Sequence, residues 1–113
     1  MLALYWLLLA VATHLPKVPQ PMELEVSDKW QHYVAYCGLA FLMTFWLAAR
    51  RAPSWFALLC VLAAAMAYGA LDEVTQPLFG RDAELLDFRA DTLGAASGIM
   101  LYLLAGWLWR KCL

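Results

Sequence analysis

The chain predicts an all-α fold, a four-helix transmembrane bundle with a short interfacial helix or loop between the third and fourth spans. Three observations point there. Of the 113 residues, 65% are hydrophobic, and mean hydropathy is +0.64. That lies well above the roughly 45–50% apolar content of a soluble domain. A soluble chain this short is mostly surface and cannot hide so much apolar area. The apolar residues also fall into four runs, separated by prolines or charges. Finally, the charges sort by loop: Arg50-Arg51 and Arg110-Lys111 stand apart from all nine acids. The length admits one domain, residues 1–113.

The first run, 2–15, stops at Pro16. It is shorter than the ~20 residues that cross a bilayer upright. No Lys or Arg precedes it, as the charged start of a signal peptide would require, so a retained first membrane helix is expected. A cleaved signal peptide, with Ala10-Val11-Ala12 imitating its cleavage site, is the rival reading. Residues 17–29 are polar, and Pro16, Pro19 and Pro21 crowd their start. Those rings block a helix and favour an extended connector, with Asp28 or Ser27 as N-cap of the next helix.

The second span covers 30–49, with Gln31 and His32 in its first turn, and Arg50, Arg51 and Pro53 closing it. The third covers 54–71, where Ala63-Ala64-Ala65 and Gly69 allow close helix contact. Its helix has room to continue past Asp72 through Gln76 to Pro77. Phe79-Gly80-Arg81 reads as a turn, and 84–88 as a short helix lying at the interface. The fourth span covers 93–109, and its Gly94 and Gly98 form a GxxxG pair that lets two backbones approach. Trp30, Tyr33, Trp55, Trp107 and Trp109 fit an interfacial belt. Cys37, Cys60 and Cys112 show no CxxC pairing and read as small apolar fillers.

The positive-inside rule puts the Arg50-Arg51 loop, the Arg110-Lys111 end and both termini in the cytoplasm of a multi-pass inner-membrane protein. The acid-rich loops then face outward. The segment from Tyr68 to Gly98 holds six of the nine acids: Asp72, Glu73, Asp82, Glu84, Asp87 and Asp91. Arg81 and Arg89 sit among them. Charge where buried segments emerge is costly and usually has a task. Spacing of four puts Asp28, His32 and Tyr36 on one helix face, and does the same for Asp72 with Gln76 and Asp87 with Asp91. Four short helices keep their outer ends close together, so one outward-facing polar pocket is expected.

Two blocks of this chain resemble the VanZ-like family of small bacterial membrane proteins. Asp28, Lys29, His32 and Tyr36 match its D-K-x-x-H-x-x-x-Y opening. Asp72, Glu73, Gln76, Gly80, Arg81, Asp87 and Gly94 match its second block, D-E-x-x-Q, then G-R, then D-x-x-x-N-x-x-G. Asp91 stands where that pattern usually has Asn, replacing a neutral donor and acceptor with an acid, and Pro77 follows Gln76 directly. The resemblance implies a polytopic membrane protein. The family's namesake is linked to resistance to the glycopeptide teicoplanin, but no agreed reaction comes with it.

The expected function is to bind or process a cell-envelope molecule: a lipid-linked precursor, a phospholipid headgroup or a peptidoglycan-related anion. The lipid bilayer is the other partner. Net charge of -1 argues neither way on nucleic acid, and no nucleic-acid partner is expected. His32 would serve as acid or base, oriented by Asp28 or Glu73. Arg81 would clamp an anion. His32, Glu73, Asp72 and Asp87 are the candidate catalytic residues, and Asp28, Tyr36, Gln76, Arg81 and Asp91 the candidate substrate-binding ones. No metal ligands are assigned. A carboxylate-held divalent cation is an alternative use of the same oxygens. Zinc suits them less, because a single histidine lies in the cluster and His14 reads as a helix-end residue. The alternative function is non-catalytic: the acid, Arg and His network glues helices together, and the protein scaffolds or shields a partner.

Overall fold

The computed structural model describes residues 1–15 and 22–113, with the side chains of 22–27 outside the description. Among the described residues the chain is all-helical: α1 Leu2–His14, α2 Met22–Ala48, α3 Trp55–Thr75, a single 3-10 turn over Gln76–Phe79, and α4 Leu85–Cys112. The proline-rich start of the connector, 16–21, lies outside the described residues. The rest of it is helical, so Asp28 is no N-cap but stands inside α2. The physical reason is that proline blocks a helix only up to Pro21. Beyond it, Met22 to Val26 are helix-compatible, and acids suit a helix start.

Ser54 caps α3, its hydroxyl accepting from the Ala57 N–H at 3.2 Å. The 3-10 turn continues α3 to Phe79, where Gly80 takes a left-handed φ of 74° and ends it. The expected separate helix at 84–88 does not form. Those residues are the first turn of α4, because nothing between Leu85 and Leu93 interrupts the helix.

Helices α2 and α4 run parallel in tight register. A Cβ at Gly94 would land on the Tyr33 carbonyl, and one at Gly98 on the Cys37 carbonyl. The GxxxG pair therefore does what small residues at that spacing permit, letting backbone meet backbone. The same register sets Phe41 edge-on to Tyr102 and lets Tyr33 Oη donate to Ser97 Oγ at 2.6 Å. Helix α1 runs antiparallel to α2. Its Tyr5 hydroxyl donates to the Ala35 carbonyl at 2.6 Å, over the gap left by Gly38. It runs parallel to α3, with Trp6 edge-on to Tyr68 at 5.3 Å.

The result is an elongated body of 50 × 25 × 22 Å. One end collects the polar residues. Toward the other, Arg50 lies over the Trp46 ring and Lys111 over Trp107. Trp55–Phe79 and Leu85–Cys112 are long and apolar enough to cross a membrane by length and composition. Helix α1 is apolar but has only 13 residues, about 20 Å of rise.

Candidate functional site: a buried His and Asp cluster at one end of the bundle

All nine sequence-predicted site residues lie at the end where α2 and α4 begin and α3 finishes. Tyr36, Asp72, Gln76, Asp87 and Asp91 are almost fully buried, His32 and Arg81 nearly so, and Asp28 and Glu73 half-buried. Meanwhile Leu71, Val74, Leu86 and Leu93, from the same turns, are exposed. Polar groups face inward and apolar groups outward, inverting the usual arrangement of a soluble domain.

The centre is His32. Its Nδ1 lies 2.9 Å from Asp91 Oδ1, one turn along α4 from Asp87. A carboxylate can only accept, so Nδ1 carries the proton and donates. Nε2 points toward Asp87 Oδ2 at 3.7 Å, beyond hydrogen-bond length. The orienting carboxylate is thus Asp91, not Asp28 or Glu73. The helix register explains it: parallel packing across Gly94 puts the first turns of α4 beside those of α2. Gly69 on α3 completes the setting, because a Cβ there would sit 3.2 Å from Asp91 Oδ2.

Lys29 joins from α2. Its ammonium donates to Asp87 Oδ1 at 2.7 Å and to Glu84 Oε2. Burial lowers its pKa, but the hydrogen bonds and charges of Asp87 and Glu84 outweigh that and hold it up at about 12.

Tyr36, one turn deeper than His32, donates its hydroxyl to Asp72 Oδ2 at 3.1 Å. Glu73 Oε2 accepts the Glu84 N–H at 2.7 Å, satisfying a donor at the start of α4. Gln76 Nε2 donates to the Thr13 carbonyl at 3.2 Å. Arg81 Nη1 donates to the Ala12 and Leu15 carbonyls at 3.3 and 3.4 Å. These are last-turn carbonyls of α1, which no helix can satisfy by itself. Arg81 Nη2 reaches Asp28 Oδ1 at 3.8 Å.

Residues that the sequence reading left out complete the picture. Lys29 and Glu84 supply an ion pair bridging α2 and α4. Lys29 follows Asp28 directly in the sequence, but nothing there announced its partner. His14 is no bystander either. Its Nε2 is 2.7 Å from Thr75 Oγ1, its Nδ1 donates to the Ala10 carbonyl at 2.8 Å, and Asp72 Oδ1 stands 3.7 Å away. His14, Thr75 and Asp72 line a cleft of about 440 Å³ between α1 and α3, together with Tyr68 and Phe79.

The buried atoms left without a hydrogen-bond partner among the described residues include three acceptors: Glu73 Oε1, Gln76 Oε1 and Asp91 Oδ2. Arg81 Nε is a donor in the same position. The site is therefore richer in spare acceptors than in spare donors. No family model matches the chain, and no curated protein and no solved structure matches it.

Proposed function

We propose that the chain is a VanZ-like, four-span inner-membrane protein whose polar end binds, and through His32 processes, a cell-envelope molecule at the outer leaflet. One observation carries this reading: at the polar end of the bundle, charged and amide side chains fill the interior while large apolar side chains cover the outside. Burying charge is costly in any medium, and more so beside lipid, so a cluster like this is kept for a task. The two long apolar helices support the membrane setting. The two matched blocks support the family, and with it a link to glycopeptide (teicoplanin-type) resistance. Charge placement supports cytoplasmic termini, with the cluster facing outward.

The balance of donors and acceptors bears on the choice among these molecules. Arg81 and Lys29 already have carboxylate and carbonyl partners, so a phosphate or carboxylate must compete for them. Donor-bearing groups, such as sugar hydroxyls or ammonium, suit the spare acceptors in kind, although these are buried and would have to be uncovered to meet them. An envelope precursor or phospholipid headgroup offers both kinds of group.

A second reading also has its own observation. Gln76 and Arg81 cap α1, and Glu73 caps α4, which is structural work. One experiment separates the two. Lipids, envelope precursors and teicoplanin susceptibility are compared in a deletion strain and in strains carrying His32→Gln or Gln76→Ala. Under the functional reading, His32→Gln reproduces the deletion at normal membrane abundance. If it changes the profile only as far as it lowers abundance, the cluster is structural.

A further inference from the structure

We propose that His32, Asp28 and Asp87 form a binding site for one first-row divalent cation, with Asp91 positioning the imidazole. One carboxylate oxygen from each aspartate and a ring nitrogen of His32 lie within 4.8 Å of one another. They come from two helices locked in register, so the cluster is built by the fold and not by a loose loop.

The second observation is the imidazole itself. His32 is only 5% exposed. Its Nδ1 is committed to Asp91, while Nε2 has no hydrogen bond among the described residues and faces Asp87 Oδ2 at 3.7 Å. A metal-bound histidine has this arrangement: one nitrogen on the ion, the other donating to a carboxylate that fixes tautomer and ring orientation. Two oxygens bound at about 2.0–2.2 Å stand closer together than 4.8 Å, and rotating the half-buried Asp28 carboxylate closes that difference.

One imidazole among two carboxylates suits Mn²⁺, Fe²⁺ or Co²⁺ better than Mg²⁺ or Ca²⁺, which take oxygen ligands, while Zn²⁺, which usually has more nitrogen or sulfur, serves as a second probe. Three protein ligands leave a position open for water or a substrate oxygen. The assignment does not depend on which envelope molecule the protein handles, but with the ion bound both ring nitrogens of His32 are engaged, so the ion's open position and not the imidazole would then meet the substrate.

The test uses the full chain, purified in detergent, stripped with chelator and titrated with Co²⁺ and Zn²⁺ by calorimetry and visible absorption. One equivalent should bind. His32→Gln should weaken binding by at least about 100-fold, and Asp91→Asn, which leaves the ligands in place, by about 10–100-fold. Asp28→Asn, at the half-buried ligand, should weaken it more than about tenfold. Lys29→Met removes a competing cation and should tighten binding about tenfold, a gain that misfolding cannot imitate. The assignment is overturned if the wild type takes up neither ion below millimolar concentration, or if His32→Gln titrates like wild type. Weaker binding by Lys29→Met would also overturn it. So would Mg²⁺ binding that is indifferent to His32→Gln, because the carboxylates alone would then hold the ion.

Discussion

The chain has two histidines, and the fold treats them differently. His32 sits among charges: Asp91 holds one nitrogen and Asp87 faces the other. His14 sits mostly among neutral groups. A main-chain carbonyl accepts from its Nδ1, the Thr75 hydroxyl meets Nε2, and the Phe79 ring packs edge-on at 5.1 Å. Its one acid, Asp72, stays at 3.7 Å and accepts from Tyr36 instead. The same side chain is therefore a hydrogen-bonded joint between α1 and α3 in one place and an electrostatic centre between α2 and α4 in the other. Neighbours, more than residue type, decide what an imidazole can do.

Asp87→Ala tests the charged side of this contrast most severely. It removes the acceptor that binds Lys29 and faces His32, leaving cations buried with fewer partners. Breaking a buried ion pair from one side costs about 3–5 kcal/mol. Thermal unfolding in detergent should show a loss of that order, with reduced abundance in membranes. A loss below 1 kcal/mol, as is typical of exposed pairs, would mean that water reaches the pair freely and the contrast with His14 is overstated.

A smaller effect should come from Gly98→Val. Its Cβ would meet the Cys37 carbonyl, and backbone cannot rotate away as a side chain can. Overpacking of this kind costs typically 1–3 kcal/mol. Helices α2 and α4 must part or slide, so the His32–Asp91 hydrogen bond should lengthen while the His14–Thr75 contact stays. Nitrogen-15 spectra of histidine-labelled protein in micelles should show one imidazole moving and the other still. Equal movement of both would show that the four helices shift as one unit.

Much of this was legible because helix periodicity is a local rule. Asp28 with His32 and Asp87 with Asp91 are placed by spacing alone, and Gly94 with Gly98 marks the face where two backbones meet. Ser54 and Gly80 punctuate α3 as their chemistry suggests. The start of α2 was hidden because a polar, acid-bearing first turn resembles a loop until it is seen to be helical. The destination of Arg81 was hidden for another reason. Its partners are main-chain carbonyls at Ala12 and Leu15, and every residue carries such a carbonyl, so no residue type marks them. Lys29 and Glu84 are far apart in sequence, and their meeting depends on the register of two helices. His14 was set aside as a helix-end residue because its partner, Thr75, lies on another helix and belongs to no motif.

The mildest change should be Thr75→Val, which probes the neutral side. Valine keeps the shape but loses the hydroxyl, whose one proton is within reach of both His14 Nε2 at 2.7 Å and the Leu71 carbonyl at 2.8 Å. Loss of such a hydrogen bond is worth about 1 kcal/mol, and the half-exposed edge of the cleft lets water replace part of it. Stability should fall by that amount or less, and cation binding at His32 should not change. The reason is spatial: Thr75 bonds the Asp72 carbonyl and not His32, and neither Asp72 nor its partner Tyr36 needs to move when a neutral group leaves. If Thr75→Val instead weakens cation binding at His32 tenfold, the two imidazoles are parts of one connected network through Asp72, and the division between joint and centre fails.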